Sequence, residues 1–301
     1  MGRVAVFAPH PLLSITVERR GGGDDVHLHP GGQGVWVSRM AAELGAEPVL
    51  CGFAGGETGR VLEALLTGQR RLVPTATRTG CYVVDRRNGE RAADELPLAE
   101  APSRHELDDL LSVTCAAALE SDVLVVCNPY PGDLLPLESY GLVTADAREN
   151  GVPVLVDLSS PRLDAALEAR PDIVKLNDWE LAEYIAGPVD GLSRRRAAAE
   201  RLLAAGAGAV IVTRAAEPAL VLRGDEAWEL APPRFSHGAR EGCGDSMTGA
   251  LAAALAAGIE WERALVLGAA AGAANFLRHG LGSGARAVVE QLAERVELRP
   301  V

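Results

Sequence analysis

Glu241-Gly242-Cys243-Gly244-Asp245-Ser246-Met247 runs directly into an alanine-rich apolar segment. Two glycines ahead of a helix set a tight turn, and a carboxylate then falls on the helix's first turn. Backbone N–H groups at a helix N-terminus lack partners one turn earlier and carry partial positive charge, so they suit an anion. An aspartate there would repel a phosphate that is merely bound. It makes sense where the phosphate is transferred and the aspartate takes a proton from the acceptor hydroxyl. A glycine-rich turn with an Asp/Ser cap accounts for the same residues equally well. Cys243 adds a thiol at the helix start, where a lowered pKa would make it reactive. The plainer role is a small residue that contributes only its backbone N–H. Gly31-Gly32-Gln33-Gly34 also leads straight into a helix, beginning near Val35, and by itself is a weak signal. His27 and His29 alternate along a strand and share a face. Without a third ligand nearby in sequence, they read as lid residues facing substrate or solvent rather than as a metal pair.

These residues need a frame that brings them together. Val4 to Phe7, Pro48 to Phe53, Val123 to Cys127, Val152 to Leu158, Ile173 to Leu176 and Ala209 to Thr213 read as strands. Helical patterns fall between them: Trp36 to Leu44 closed by Gly45, Gly59 to Leu66, Leu137 to Asn150, and Arg194 to Ala205. A further helix covers Ala264 to Leu277. This alternation predicts an α/β fold of βαβ crossovers, with a mostly parallel sheet covered on both faces and ligands at the carboxyl ends of its strands. Two polar stretches, 14–30 and 79–95, break the alternation. They predict a small lid of antiparallel strands, with turns at Gly21-Gly22-Gly23 and Asn88-Gly89. Two ordinary surface hairpins would fit them as well.

The chain has 301 residues, 48% of them hydrophobic, and a formal net charge of −12. No long basic run is present, so nucleic acid is not an expected partner. Five scattered cysteines, without a CxxC pair, fit a reduced cytoplasmic setting. No apolar run is long enough to cross a bilayer, and the N-terminus reads as a first strand rather than a signal peptide.

Pro30-Gly31-Gly32-Gln33-Gly34-Val35-Trp36-Val37-Ser38-Arg39, followed by Leu44-Gly45 and Gly52-Phe53-Ala54-Gly55-Gly56-Glu57-Thr58-Gly59, resembles the first signature of the ribokinase-like (PfkB) carbohydrate kinases. Lys175-Leu176-Asn177-Asp178-Trp179-Glu180-Leu181 is similar to their Lys-Pro-Asn-x-x-Glu-Leu segment, and Gly242 to Asp245 to their Gly-Ala-Gly-Asp. His10-Pro11-Leu12-Leu13-Ser14-Ile15-Thr16 resembles the opening of the 1-phosphofructokinase and tagatose-6-phosphate kinase branch. The three signatures stand in the family's order across nearly the whole chain. The resemblance implies one ribokinase-like domain over 1–301, a three-layer α/β/α sandwich with a small β lid. It implies phosphoryl transfer from ATP to a hydroxyl of a sugar or sugar-like small molecule. Asp245 would be the base, and Gly242, Cys243 and Gly244 the anion hole. Asn177 and Glu180, three apart at a strand-to-helix junction, would organise Mg2+ through water, although a first-turn carboxylate favoured by the helix dipole would also explain Glu180. Thr213, Arg214 and Asn275 would line the nucleotide. Ser14, Gly31, Gly32, Gln33, Trp36 and Asn128 would line the acceptor. A homodimer built through the lid belongs to the same set of expectations.

The departures from the family cluster on the acceptor side. The branch's Gly-Gly-Lys-Gly-x-Asn has Gln33 for its lysine and Trp36 for its asparagine. Its opening Asn and Asp are His10 and Ser14, and its Gly-Ser-Leu-Pro loop is Asn128-Pro129-Tyr130-Pro131. Loss of the lysine removes a point charge suited to a substrate phosphate. An aromatic at 36 could stack on a flat ligand or a sugar face, or simply pack in the core. The expectation from these changes is an unphosphorylated polyol, nucleoside-like or aromatic glycoside acceptor. On the nucleotide side, Thr213-Arg214-Ala215-Ala216-Glu217-Pro218 lacks both glycines of the family's turn, and Ala239 replaces a carboxylate linked to a monovalent cation. A weakly active or non-catalytic ligand-binding relative is therefore the alternative, with a nucleoside kinase beside it. A Rossmann oxidoreductase fits poorly, because the first glycines do not follow the first strand in G-x-G-x-x-G form.

Overall fold

The computed structural model describes residues 2–87, 92–96, 100–129, 135–278 and 280–301, with backbone alone for 92–96. In chain order the strands are β1 Arg3–Phe7, β2 Leu12–Arg20, β3 Gly23–Gly31, β4 Glu47–Gly55, β5 Gln69–Thr75, β6 Cys81–Asp85, β7 Ala92–Leu96, β8 Val123–Cys127, β9 Val154–Asp157, β10 Ile173–Asn177, β11 Ala209–Arg214, β12 Glu217–Arg223, β13 Glu226–Ala231 and β14 Glu297–Pro300. The helices are α1 Gln33–Glu43, α2 Gly56–Leu65, α3 Arg104–Leu119, α4 Glu138–Glu149, α5 Arg162–Glu168, α6 Asp178–Ile185, α7 Leu192–Ala205, α8 Cys243–Ala256, α9 Trp261–Phe276 and α10 Arg286–Ala293.

A ten-stranded sheet runs in the order β14-β13-β12-β11-β10-β9-β8-β1-β4-β5. It is parallel from β5 to β11 and antiparallel from β11 to β14. Central strands such as Val123-Leu124-Val125-Val126-Cys127 are apolar and fully buried, as a parallel sheet covered by helices on both faces requires. One core cluster unites Phe7, Leu124, Tyr140, Val156 and Leu176 on one face. A second unites Val6, Leu50, Val125, Ile211 and Leu251 on the other. The expected α/β architecture with a mostly parallel sheet is therefore present. The antiparallel edge formed by β12, β13 and β14 was not foreseen.

The four-stranded second sheet has the order β3-β2-β6-β7. Its β2–β3 and β6–β7 pairs are antiparallel, but β2 and β6 run parallel, so the expected all-antiparallel lid is mixed. β2 and β6 come from separate excursions of the chain out of the main sheet, and no hairpin fixes their relative direction. The turn expected at Asn88-Gly89 lies outside the described residues.

Two close approaches set the site's geometry. A Cβ at Gly249 would fall 2.4 Å from Val37 O, so α8 lies directly on α1. Gly242 caps α8 in the left-handed region (φ 77), which an L side chain adopts only with strain. The N-termini of α1, α6 and α8 consequently open at the rim where β1, β8, β9 and β10 end.

Candidate active site

Asp245 sits in the first turn of α8, partly buried. Its carboxyl is pushed up to about 7, first by burial and then by the charge of Asp157; Lys175 and a hydrogen bond from Gln33 oppose this. A group held there is a competent proton acceptor near neutral pH. Lys175 Nζ donates to Asp157 Oδ2 at 2.7 Å, with both side chains almost fully buried. Burial alone would lower the Lys175 ammonium, but Asp157, Asp245 and Glu180 outweigh it and hold the group above its ordinary value. Thr248, one turn after Asp245 on α8, donates to the same Asp157 oxygen at 2.6 Å. Neither Asp157 nor Thr248 was singled out in the sequence. Lys175 was visible only as the first letter of the segment that contains Asn177.

Gln33 opens α1 and ties the acceptor side to this centre. Its Oε1 accepts from Asn128 N–H at 2.5 Å, while its side chain hydrogen-bonds the Asp245 carboxylate. Asn128 Nδ2 in turn donates to Ser159 Oγ at 3.1 Å.

Asn177 and Glu180 form a reciprocal capping box at the start of α6. Glu180 N–H donates to Asn177 Oδ1 at 2.9 Å, and Asn177 N–H donates to Glu180 Oε2 at 2.8 Å. Burial, followed by the charge of Asp157, raises the Glu180 carboxyl, so a nearby cation would favour its ionised form. The capping role that the sequence left open is therefore real, and it leaves Glu180 Oε1 outside the box.

At the nucleotide-side turn, Thr213 Oγ1 lies 3.4 Å from Leu176 O, and Arg214 is 4.0 Å from Asp178. Ala215, where the family has glycine, keeps a left-handed backbone (φ 51) despite its Cβ. Asn275 is fully buried. Its Nδ2 donates to Glu241 O at 2.8 Å, and its Oδ1 accepts from Ser283 N–H at 3.2 Å. Its side chain therefore braces the loop before α8 against the loop after α9. Cys243 donates its thiol to Ala239 O at 3.5 Å, and burial pushes its pKa up. Burial therefore works against a reactive thiolate at this position.

A cavity of about 320 Å³ lies under the second sheet, lined among others by Ser14, His27, His29, Trp36, Arg39 and Tyr82. The register explains this face. Ser14 pairs with His29 and Tyr82, and Thr16 with His27 and Val84, so these residues line one side of the sheet together. Trp36 is half-buried in the cavity wall rather than in the core. Gly31 and Gly32 are buried, with Gly32 in the left-handed region (φ 94) directly ahead of Gln33. His27 and His29 stack at 6.0 Å, and His27 Nε2 faces Glu18 and Asp25 at 3.2 and 3.3 Å.

The pfkB family carbohydrate kinase profile matches residues 13–287. A 1-phosphofructokinase of Rhodobacter capsulatus is 33% identical over 241 residues, covering 77% of this chain and 75% of that protein. The ATP-dependent 6-phosphofructokinase isozyme 2 of Escherichia coli is 30% identical over 263 residues, covering 84% and 83%. The crystal structure of phosphofructokinase-2 from Escherichia coli in complex with fructose-6-phosphate superposes with a TM-score of 0.82 at 25% identity, over 98% of this chain and 99% of that one.

Proposed function

Because this chain belongs to the pfkB family of carbohydrate kinases, we propose that it moves the γ-phosphoryl group of ATP to a hydroxyl of a sugar phosphate, with Asp245 as the base. The observation that carries this reading is the Asp245 carboxyl at the N-terminus of α8, raised to about 7 and held by Gln33. The acceptor oxygen forms a bond to the γ-phosphorus as the bond to the β,γ-bridging oxygen breaks, and ADP leaves. The hydroxyl proton passes to Asp245. Backbone N–H groups of Gly242, Cys243 and Gly244 stabilise the charge on the transferring group, with Cys243 N–H partly turned toward Arg240 O at 3.3 Å. The oxygen donors of Asn177 and Glu180 suit a hard divalent ion such as Mg2+, held through water. When bound, that ion neutralises phosphate charge. Thr213 and Arg214 lie at the same rim and are assigned to the nucleotide.

The acceptor expected from Gln33 and Trp36 alone was unphosphorylated. Against it stand relatives at 30–33% identity that are named as phosphofructokinases, so a sugar phosphate is the better assignment. A phosphate-transfer assay over fructose 1-phosphate, fructose 6-phosphate, tagatose 6-phosphate, fructose and nucleosides tests it. A sugar phosphate should be the best acceptor. A nucleoside as best acceptor, or no transfer together with no ATP binding by calorimetry, would refute the proposal.

Two measurements refine the site. With Asp245 as base, kcat/KM should fall about tenfold per pH unit below about 7 and level off above it; a profile flat down to pH 5 removes Asp245 from that role. Trp36→Ala should raise the acceptor KM about tenfold with the ATP KM unchanged, because Trp36 lines the lid cavity. Equal loss for both substrates would mean that Trp36 only supports packing.

The opposite face of the second sheet supports a dimer. Ile15 pairs with Leu28 and Val83, and Val17 with Val26. Val26 and Leu28 are 58% and 43% exposed, an apolar strand face suited to a second copy. Leu28→Lys should convert a dimer to a monomer in sedimentation equilibrium, and a wild-type monomer would end this assignment.

A further inference from the structure

Asp25, His27 and His29 alternate along β3 and so share one face of the second sheet. The register sets Glu18 of β2 directly opposite Asp25, and Thr16 opposite His27. In the sequence His27 and His29 lacked a third ligand. Strand pairing supplies Glu18 from the neighbouring strand, and Asp25 joins it two residues before His27. His27 Nε2 lies 3.2 Å from Glu18 Oε1 and 3.3 Å from Asp25 Oδ2. One donor atom from each of the three residues falls within 4.8 Å of the other two. A tetrahedral zinc ion with bonds of about 2.0–2.1 Å separates neighbouring nitrogen and oxygen ligands by about 3.3–3.4 Å. Both separations from the imidazole nitrogen already match that spacing.

Charge points the same way. Glu18 and Asp25 are like charges on directly paired residues, an arrangement that destabilises a sheet. A single Nε2 position on His27 serves both carboxylates, and one N–H cannot satisfy two such groups. Arg20 reaches Asp25 only at 3.9 Å, from a side chain that is 76% exposed. Among the described residues, the one ion pair of Glu18 is with His27. His29 stacks on His27 at 6.0 Å with the rings nearly parallel, which holds the imidazole plane in place.

We infer that Glu18, Asp25 and His27 form a binding site for a first-row divalent cation of the zinc type, through one imidazole nitrogen and two carboxylate oxygens. The donor set decides the class, because an imidazole suits Zn2+, whereas Mg2+ takes oxygen ligands and keeps several of its waters. The ion ties β2 to β3 and neutralises the facing carboxylates. Glu18 and His27 also line the cavity under the second sheet. Three protein ligands leave a coordination position for water or for an oxygen atom of a molecule in that cavity. The site is distinct from the Asn177 and Glu180 oxygens and does not depend on the kinase reading.

Calorimetric titration of Zn2+ into the intact, tag-free chain tests the site, with Mg2+ in excess to occupy the Asn177 and Glu180 oxygens. One Zn2+ should bind per chain and be withdrawn by EDTA. Glu18→Gln and His27→Ala should each weaken binding at least about tenfold, the loss that even an outer-shell change produces. Cys115→Ser removes a partly accessible thiol elsewhere and should leave binding unchanged. Zn2+ should raise the melting temperature of the wild type and not that of His27→Ala. Melting curves without metal establish that the variants are folded, and Glu18→Gln keeps the shape of its side chain on a half-exposed strand face. The inference is overturned if Zn2+ does not bind, binds without saturating, or binds Glu18→Gln and His27→Ala as tightly as the wild type. Loss of binding in Cys115→Ser would place the metal on that thiol and overturn it as well.

Discussion

Replacing Asp245 by Asn lowers turnover by about 10²–10⁴-fold and leaves ATP binding within a few-fold of wild type. The substitution keeps the shape of the first turn of α8 and the hydrogen-bonding partner for Gln33, but removes the proton acceptor. The same change should stabilise the fold in a pH-dependent way. Asp245 is held at about 7 against an ordinary 3.8. Below pH 3.8 it is protonated in both the folded and unfolded states and carries no penalty. Between 3.8 and about 7 the unfolded chain releases the proton while the folded chain keeps it, so the folded state loses ground as pH rises. Above about 7 the full cost is present, roughly 2–4 kcal/mol. Asp245→Asn should therefore melt higher than wild type at pH 8 and converge with it near pH 4. Retained turnover would remove Asp245 as the base. Equal melting at pH 8 would mean that its carboxylate is not penalised by its surroundings. A gain in stability coupled to a loss of activity is the signature of a charge kept for chemistry.

The alternation of apolar strands and helical patterns made the parallel sheet legible, because buried strands such as Val123 to Cys127 leave no competing reading. It left the antiparallel edge unseen. Glu217–Arg223 and Glu226–Ala231 are joined by the two-residue turn Gly224-Asp225, a hairpin signal that the reading passed over, while the Ala215-Ala216 turn leading into β12 carries no glycine. α3 escaped notice although Ser103 and Glu106 form its capping box, since its apolar face is thin. In the site, Asp245, Asn177 and Glu180 were visible because each follows a glycine turn or a strand end. Asp157 was not, because a single acidic residue closing a short apolar strand looks like any strand terminus. His10 and Gln33 were noticed only as departures from a family pattern. The meaning of Gln33 lies in partners far away in sequence, Asn128 and Asp245, which the chain order conceals. Asn275 was assigned to the nucleotide by its position in the family, and its bonds to Glu241 and Ser283, which tie two loops together, could not be read from the chain order.

Lys175→Met should do more damage than any other single change outside the base itself. Lys175 and Asp157 are 6% and 4% exposed and bonded at 2.7 Å. Removing the ammonium leaves the Asp157 carboxylate buried with, among the described residues, only the Thr248 hydroxyl at 2.6 Å to answer it. Breaking such a pair from one side costs about 3–5 kcal/mol, a loss readable as a lower denaturant midpoint. Lys175 also opposes the upward push on Asp245, so its removal should move the acid limb of kcat/KM above its wild-type position near 7. The two effects separate in Lys175→Met/Asp157→Asn. Neutralising Asp157 removes both the stranded charge and the second largest cause of the raised Asp245 carboxyl. The double variant should recover much of the stability and bring the acid limb back down, while turnover stays low if the ammonium itself supports the transferring phosphate beside Gly244, whose Cβ would lie 2.9 Å from Lys175 Nζ. If the single variant melts like wild type and keeps its pH profile, the buried pair sets neither the stability of the rim nor the acidity of the base.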